Sequence, residues 1–317
     1  MNGRRSQALH LLLTAAFLIV AVPIFPVFFL GPLAMLLLVS RPRTAREWFW
    51  IAVSAGALVA WFGLPDSLGE QTVRAAAVFF VGSFVALTLA GIPSLFTRAT
   101  VAAILAAIAT IGWFTAFQIR FADLQQDIIT QAWEAWRQVW ANLPATPPAP
   151  TTDVLVEAAP ADFARQVAIV VTGMATLCPA LLALVAMLGT WLASTWYHRI
   201  ARTPLTAPPT PLAEFRFNDH LVWILVLGLG LTLVGAPHSV RLVTANVLLL
   251  VLAMYWVRGL AVIRTALRRA SPLVIGILIL IMFPMLAFVL VGFTLLGVAD
   301  TWLDFRRRMA PPSGVPS

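Results

Sequence analysis

The sequence predicts an all-α fold, a polytopic transmembrane helical bundle of about eight or nine spans that include a proline-broken helix pair at the N-terminus. Three observations lead there. Apolar residues fill 61% of the 317 positions and charged residues 11%, where soluble domains have about 45–50% and about 25%. The mean hydropathy is +0.91. The apolar residues also fall into nine stretches, too many for a soluble fold of this size to bury. A span must satisfy its own backbone hydrogen bonds over about 30 Å, and continuous runs near 20 residues do so as helices.

The first stretch, Ala8–Ser40, is interrupted by Pro23, Pro26, Gly31 and Pro32. As one straight helix it would reach about 50 Å, too long for one crossing and short for two, so a broken pair fits it better. Arg4 and Arg5 precede it as in a signal peptide, but no small-residue cleavage site follows, and a retained first helix is expected. Further spans are expected at Trp48–Leu64, Val73–Ala90, Ala99–Gln118, Gln166–Trp196, Leu221–Gly235, Leu242–Val257 and Leu273–Val298.

All 21 basic residues are arginine. With the N-terminus in the cytoplasm, Arg4, Arg5, Arg41, Arg43, Arg46, Arg98, Arg199, Arg202 and Arg216 lie inside, with Arg258, Arg264, Arg268 and Arg269. Arg74, Arg120, Arg137, Arg165 and Arg241 fall outside, so the positive-inside rule holds. Arg306, Arg307 and Arg308 ask for an inside C-terminus, which nine crossings do not give. An even count is preferred, with a re-entrant segment at Pro23–Pro32 or Pro284.

One long polar excursion separates the halves, between Arg120 and Arg165. Ile129, Trp133, Trp136 and Trp140 form one stripe of an amphipathic helix, expected to lie flat at the external headgroup boundary; a lid over a substrate entrance is the alternative. The prolines of Leu143–Pro150 make an extended linker, and Thr203–Pro211 is a similar cytoplasmic connector. The expected organisation is therefore 1–118 N-terminal transmembrane helices, 119–165 external helix and linker, 166–305 C-terminal transmembrane helices and 306–317 a disordered tail. Small residues at Gly82, Ala86 and Ala90, and at Ala99, Ala103 and Ala107, predict faces for close helix packing, within the chain or toward a partner.

Several chemistries are excluded or disfavoured. Without lysine there is neither a phosphate-loop NTPase site nor a Schiff base, so ATP-driven work would need another subunit. The arginines flank apolar spans instead of forming a solvated stripe, which argues against nucleic acid. All 13 carboxylates fall in loops or at span edges, unlike the buried relays of proton pumps. His10, His198, His220 and His238 are scattered, and Cys178 is single, so no metal set or cofactor is expected. No nucleophile elbow appears, and the chain is not expected to be an enzyme.

The residues worth weighing lie in the second half: Asn246 within a span, Tyr255, Trp256 and Arg258 toward its inner end, and Asp300 closing the last span. Asparagine in hydrocarbon needs a partner, so Asn246 is either interhelical glue or a ligand contact. Arg258 either snorkels to the cytoplasmic headgroups or pairs with Asp300 or Asp304, which would require the C-terminus inside.

The same residues carry a resemblance, in Phe215-Arg216-Phe217, Trp223, Asn246, the run Tyr255-Trp256-Val257-Arg258-Gly259-Leu260-Ala261-Val262-Ile263, and Leu296–Asp300 leading into Asp304-Phe305-Arg306. Over Phe215–Arg308 the chain resembles the YybS-like family of bacterial membrane proteins, itself similar to the S components of energy-coupling-factor transporters. The resemblance implies a subunit of the bacterial inner membrane that binds a vitamin-like small molecule and works with ATPase and transmembrane coupling subunits. Asn246, Tyr255, Trp256, Arg258 and Asp300 are the candidate substrate-binding residues. The alternative is a membrane scaffold or regulatory protein that docks partner proteins through its small-residue faces and arginine loops.

Overall fold

The computed structural model describes residues 27–63, 67–141, 161–282 and 284–309, and among them every regular element is a helix. The chain divides into two compact units, Met1–Pro209 and Thr210–Ser317. Leu68–Leu89, Leu95–Ala116, Arg165–Ile200 and His238–Ala266 are long and apolar enough to cross a membrane, and Val27–Val39, Leu221–Leu233 and Ala287–Leu303 are shorter apolar helices. Large apolar side chains such as Val59, Ile108, Leu227 and Phe288 point outward, which suits hydrocarbon and not water. The all-α membrane fold expected from the sequence is what forms.

The first unit holds α1 (Val27–Val39), α2 (Ala45–Phe62), α3 (Leu68–Leu89), α4 (Leu95–Ala116), α5 (Phe121–Ala141) and α6 (Ala161–Ile200). Helix α1 is apolar on every side, and it is buried accordingly. Its Phe28, Phe29, Leu33 and Leu37 sit in one core with Phe80 and Phe84 of α3 and Ala193 and Tyr197 of α6. Gly189 of α6 permits this approach, since a methyl there would collide with the Phe28 carbonyl. Pro32 is carried inside α1 without ending it, so the chain is not broken at that proline. Ala8–Pro26 and the linker Leu143–Pro150 lie outside the described residues.

Helix starts follow the local sequence. Thr44, Ser67 and Ser94 cap α2, α3 and α4 by accepting backbone N–H bonds three residues on. Helix α3 ends at Gly91, whose φ of 77° suits glycine. Buried hydroxyls of Thr88 and Thr190 donate to carbonyls one turn back, which removes the cost of burying them unpaired.

The expected small-residue faces are not the ones packed within the unit. Gly82, Ala86 and Ala90 are exposed on α3, and on α4 the most buried small face is Ala99, Ala102 and Ala106. The buried phenylalanines of α3 occupy the opposite side of that helix and decide which face turns inward. At one end of the unit the Glu47 carboxylate accepts from the Arg202 N–H, joining the loop before α2 to the segment after α6. At the other end the Gly69 N–H donates to Asp127 Oδ2 over 2.7 Å, fixing the amphipathic α5 to the start of α3. Thus the two arginine loops assigned to one side of the membrane meet, and the excursion assigned to the other meets the opposite helix ends.

The second unit holds a 3₁₀ turn Leu212–Glu214, then α7 (Leu221–Leu233), α8 (His238–Ala266), a 3₁₀ turn Leu267–Arg269, α9 (Pro272–Met282), α10 (Leu286–Leu303) and α11 (Phe305–Met309). Leu273–Val298, expected as one span, is two helices, with turn residues at Pro284 and Met285 between them. Proline removes a backbone donor and clashes with the preceding turn. The tail expected to be disordered from 306 is helical through Met309.

Glycines set the register of the second unit. Methyls at Gly259 and Gly297 would overlap the Phe293 and Tyr255 carbonyls, so α8 and α10 cross with their backbones in contact, antiparallel. On α7 a methyl at Gly228 would overlap Leu248, which places α7 antiparallel along the earlier part of α8. Stepping from these pairs along α8, at about 1.5 Å per residue, brings the last turn of α10 and the first turn of α7 to one level. Helices α7 and α10 thus lie along successive parts of α8, and their ends meet near Tyr255.

Candidate functional site

Where two helix ends meet inside an apolar unit, the carboxylates they carry need partners. Arg258, from the later part of α8, donates to them. Its Nε donates to Asp300 Oδ2 over 2.9 Å, its Nη2 to the Asp300 carbonyl over 3.2 Å, and its Nη1 to Asp219 Oδ1. The guanidinium also lies over the Phe217 ring, 5.4 Å from its centroid, a cation–π contact that gains from the dry surroundings.

Arg306 completes the cluster. Its Nη2 donates to the same Asp300 Oδ2 over 2.9 Å, and its Nη1 to the carbonyls of Phe215 over 2.7 Å and Ala213 over 3.3 Å. The side chains of Arg258, Asp300 and Arg306 are 5%, 0% and 6% exposed, while Asp219 remains 60% exposed. Two cations and two anions therefore cancel, and only the Asp219 edge reaches outward. Arg216 and Asp304 add an exposed pair at 2.9 Å beside it. Asp304 reverses the chain with φ of 42°, and this turn points Arg306 back at Asp300.

The residues expected to share a site separate into three groups. Arg258 and Asp300 are in direct contact. Tyr255 is fully buried beside them, its ring edge-on to Phe217 at 5.1 Å and Thr301 next to its hydroxyl. Trp256 turns to another side and packs on Phe293 at 6.2 Å. Asn246 is three helical turns earlier on α8, about 18 Å from Arg258 along the axis. There its Nδ2 donates to its own helix at the Leu242 carbonyl. A single pocket built from Asn246, Tyr255 and Arg258 is thus not what forms, because an α-helix separates positions nine and twelve residues apart.

The cavity beside the cluster is a different one. Ile263 of α8, Met282, Met285, and Phe288, Phe293 and Leu296 of α10 line an open apolar groove of about 450 Å³. That volume lies within the range of small-molecule sites. Phe293 ties the groove to α8, since its ring faces Trp256 and its carbonyl lies close to Gly259. Among the described residues no group of three or more His, Cys, Asp or Glu could hold a metal ion.

Sequence reading missed Asp219, Arg306 and the Gly259–Gly297 contact as site features. The charges did leave a signal. An arginine late in an apolar span needs counter-ions, and Asp219 and Asp300 end the two apolar segments nearest to it in the fold.

Long apolar helices, outward-facing hydrocarbon side chains and internally neutralised charge together define an integral membrane protein of helical-bundle type. The chain belongs to the family described as Predicted membrane protein (DUF2232), which matches residues 8–301. This match covers most of the chain and bears on this family alone, not on the YybS-like resemblance. No curated protein and no solved structure matches the chain.

Proposed function

We propose that this protein is a non-enzymatic, transport-type subunit of the bacterial cytoplasmic membrane, with its N-terminus in the cytoplasm. It takes a small apolar or vitamin-like molecule into the groove between α8 and α10. One observation carries this reading: α8 and α10, which bear most of the residues that resemble the YybS-like family and meet in a buried ionic junction, also line a ligand-sized groove. Trp256 and Phe293 are the aromatic contacts. Arg258 and Asp300 form the element that binding would bias, and Tyr255 is packed behind it.

Since the chain has no lysine for a phosphate loop, the energy would come from separate ATPase and coupling subunits. Pairing of α10's end with Arg258 supports an inside C-terminus, because Arg306–Arg308 then lie on the arginine-rich side. The test is mass spectrometry of small molecules carried by the full chain purified in nanodiscs, beside a Gly292→Trp variant that fills the groove, which Gly292 of α10 also lines. A non-lipid compound held by the parent and lost in the variant supports the proposal. Its absence, together with no thermal shift from a panel of water-soluble vitamins, would overturn it.

A second reading, a scaffold or regulatory protein, is favoured by the outward position of Gly82, Ala86 and Ala90, where a methyl on Gly82 would meet nothing within 4 Å. Cross-linking from Ala86 that recovers a stable protein partner lacking any ATPase or coupling subunit would favour that reading.

A further inference from the structure

Glu47 is the single carboxylate between two arginine-bearing loops of the first unit, yet among the described residues it pairs with no arginine side chain. Its Oε2 accepts from the backbone N–H of Arg43 and of Thr44 and from the Thr44 hydroxyl, each over 2.8 Å. Its Oε1 accepts from the backbone N–H of Arg202 over 2.8 Å. Glu47 is 2% exposed. Because both oxygens belong to one carboxylate, the Arg43 and Arg202 backbones can be no more than about 8 Å apart. The latch therefore brings two basic loops together while leaving their guanidinium groups unneutralised.

Arg41, Arg43, Arg46, Arg199 and Arg202 are all exposed, and among the described residues their side chains have no ion-pair or hydrogen-bond partner. The segment that follows is held as firmly. The Leu205 N–H donates to the Tyr197 hydroxyl over 2.9 Å, and the His198 ring bridges the Ser194 and Thr206 carbonyls. On the adjoining turn of α2, Trp48 and Phe49 are 55% and 61% exposed. Exposed aromatic rings next to arginines are characteristic of headgroup depth.

We propose that these five arginines form a binding site for the headgroup phosphate of an anionic phospholipid, with Trp48 and Phe49 lying against its glycerol and upper acyl region. Loops fixed in advance lose little freedom on binding, and planar guanidinium groups match phosphate oxygens bidentately. The occupant is a lipid because the site adjoins a helix whose outer side chains are apolar.

The experiment uses native mass spectrometry of the full chain with added phosphatidylglycerol or phosphatidylcholine. Preferential retention of phosphatidylglycerol is expected. The Arg43→Gln/Arg202→Gln variant should weaken it by about tenfold with an unchanged melting temperature, because the latch uses only the backbone of these residues. Arg264→Gln/Arg268→Gln, which removes equal charge elsewhere, should leave retention as in the parent. Equal retention of both lipids would overturn the proposal, as would an equal loss in the charge-matched control. Displacement by millimolar inorganic phosphate would show a free-anion site and overturn the lipid assignment.

Discussion

Asp300 accepts from Arg258 and from Arg306 at one carboxylate oxygen, each over 2.9 Å, while its side chain is wholly buried. Taking an ion out of water costs several kcal/mol, and the cluster offsets this only while all its members remain. Arg258→Ala should therefore destabilise the detergent-solubilised protein by about 3–5 kcal/mol, and Asp300→Asn by a similar amount. Arg258→Lys should restore little, because one ammonium cannot reach the three acceptors that the fork serves. Replacing Arg258, Asp300 and Arg306 together by Met, Leu and Met should recover most of the loss. Thermal melts of the variant series measure this, and a triple variant no better than Arg258→Ala would contradict it.

How much of this was legible in advance depends on the range of each interaction. Helix positions and most boundaries followed from local hydropathy, and the Arg258–Asp300 pair was one of the alternatives left open for an arginine in a span, beside snorkelling and Asp304. Asn246 was misplaced because depth in a span says nothing of which neighbours a residue meets. The spacing left open whether the Gly82 face of α3 packs within the chain or toward a partner, and it is the buried Phe80 and Phe84 that take the inward side. Glu47 was passed over since its partner, Arg202, lies far away in sequence, and only folding brings them together.

Gly259 and Gly297 let α8 and α10 touch backbone to backbone. A methyl at Gly259 meets a carbonyl, which cannot swing aside as a flexible side chain would. Gly259→Ala should cost about 1–3 kcal/mol and Gly259→Leu more, by forcing the helices apart. Gly82→Ala, with open space around it, should stay within about 0.5 kcal/mol of the parent. Melting temperatures in one detergent test the contrast, and a Gly259→Leu protein that melts like the parent would refute the crossing.

The Glu47 carboxyl, at the head of α2 before its apolar run, is held down to about 2 from 4.5, first by the Arg202 N–H, then by those of Arg43 and Thr44 and by the Thr44 hydroxyl, against the opposing effect of burial. Lowering in the folded state means that its contribution to stability is complete above the ordinary glutamate value and is lost as pH falls toward about 2. The stability difference between the parent and Glu47→Gln should be about 1–3 kcal/mol near neutral pH, hold to about pH 5, and shrink below it. Unfolding measured along that pH series checks the sign; a difference already gone by about pH 6 would exclude the latch as its source.

Asp127 does for the opposite end what Glu47 does for the first. Its Oδ2 accepts from the Gly69 N–H and from Gln131 Nε2, both over 2.7 Å. One bond ties α5 to an orphan donor in the first turn of α3, and the other holds the aspartate in place. A carboxylate there also faces the positive end of the α3 dipole. Asp127→Ala should cost about 1–2 kcal/mol, in the range of a lost helix cap, and Asp127→Asn less, since an amide oxygen can still accept. The loss should be local, because the bond sits at one end of α3 while buried Leu124 and the 3.4 Å contact of Gln125 with Thr176 hold α5 separately. Amide exchange at Gly69 and across α5 should accelerate in Asp127→Ala while the core helix α1 stays protected. Equal exchange in parent and variant would mean that α5 is held by some other contact, and α1 exchanging as fast as α5 would mean that the two open as one cooperative unit.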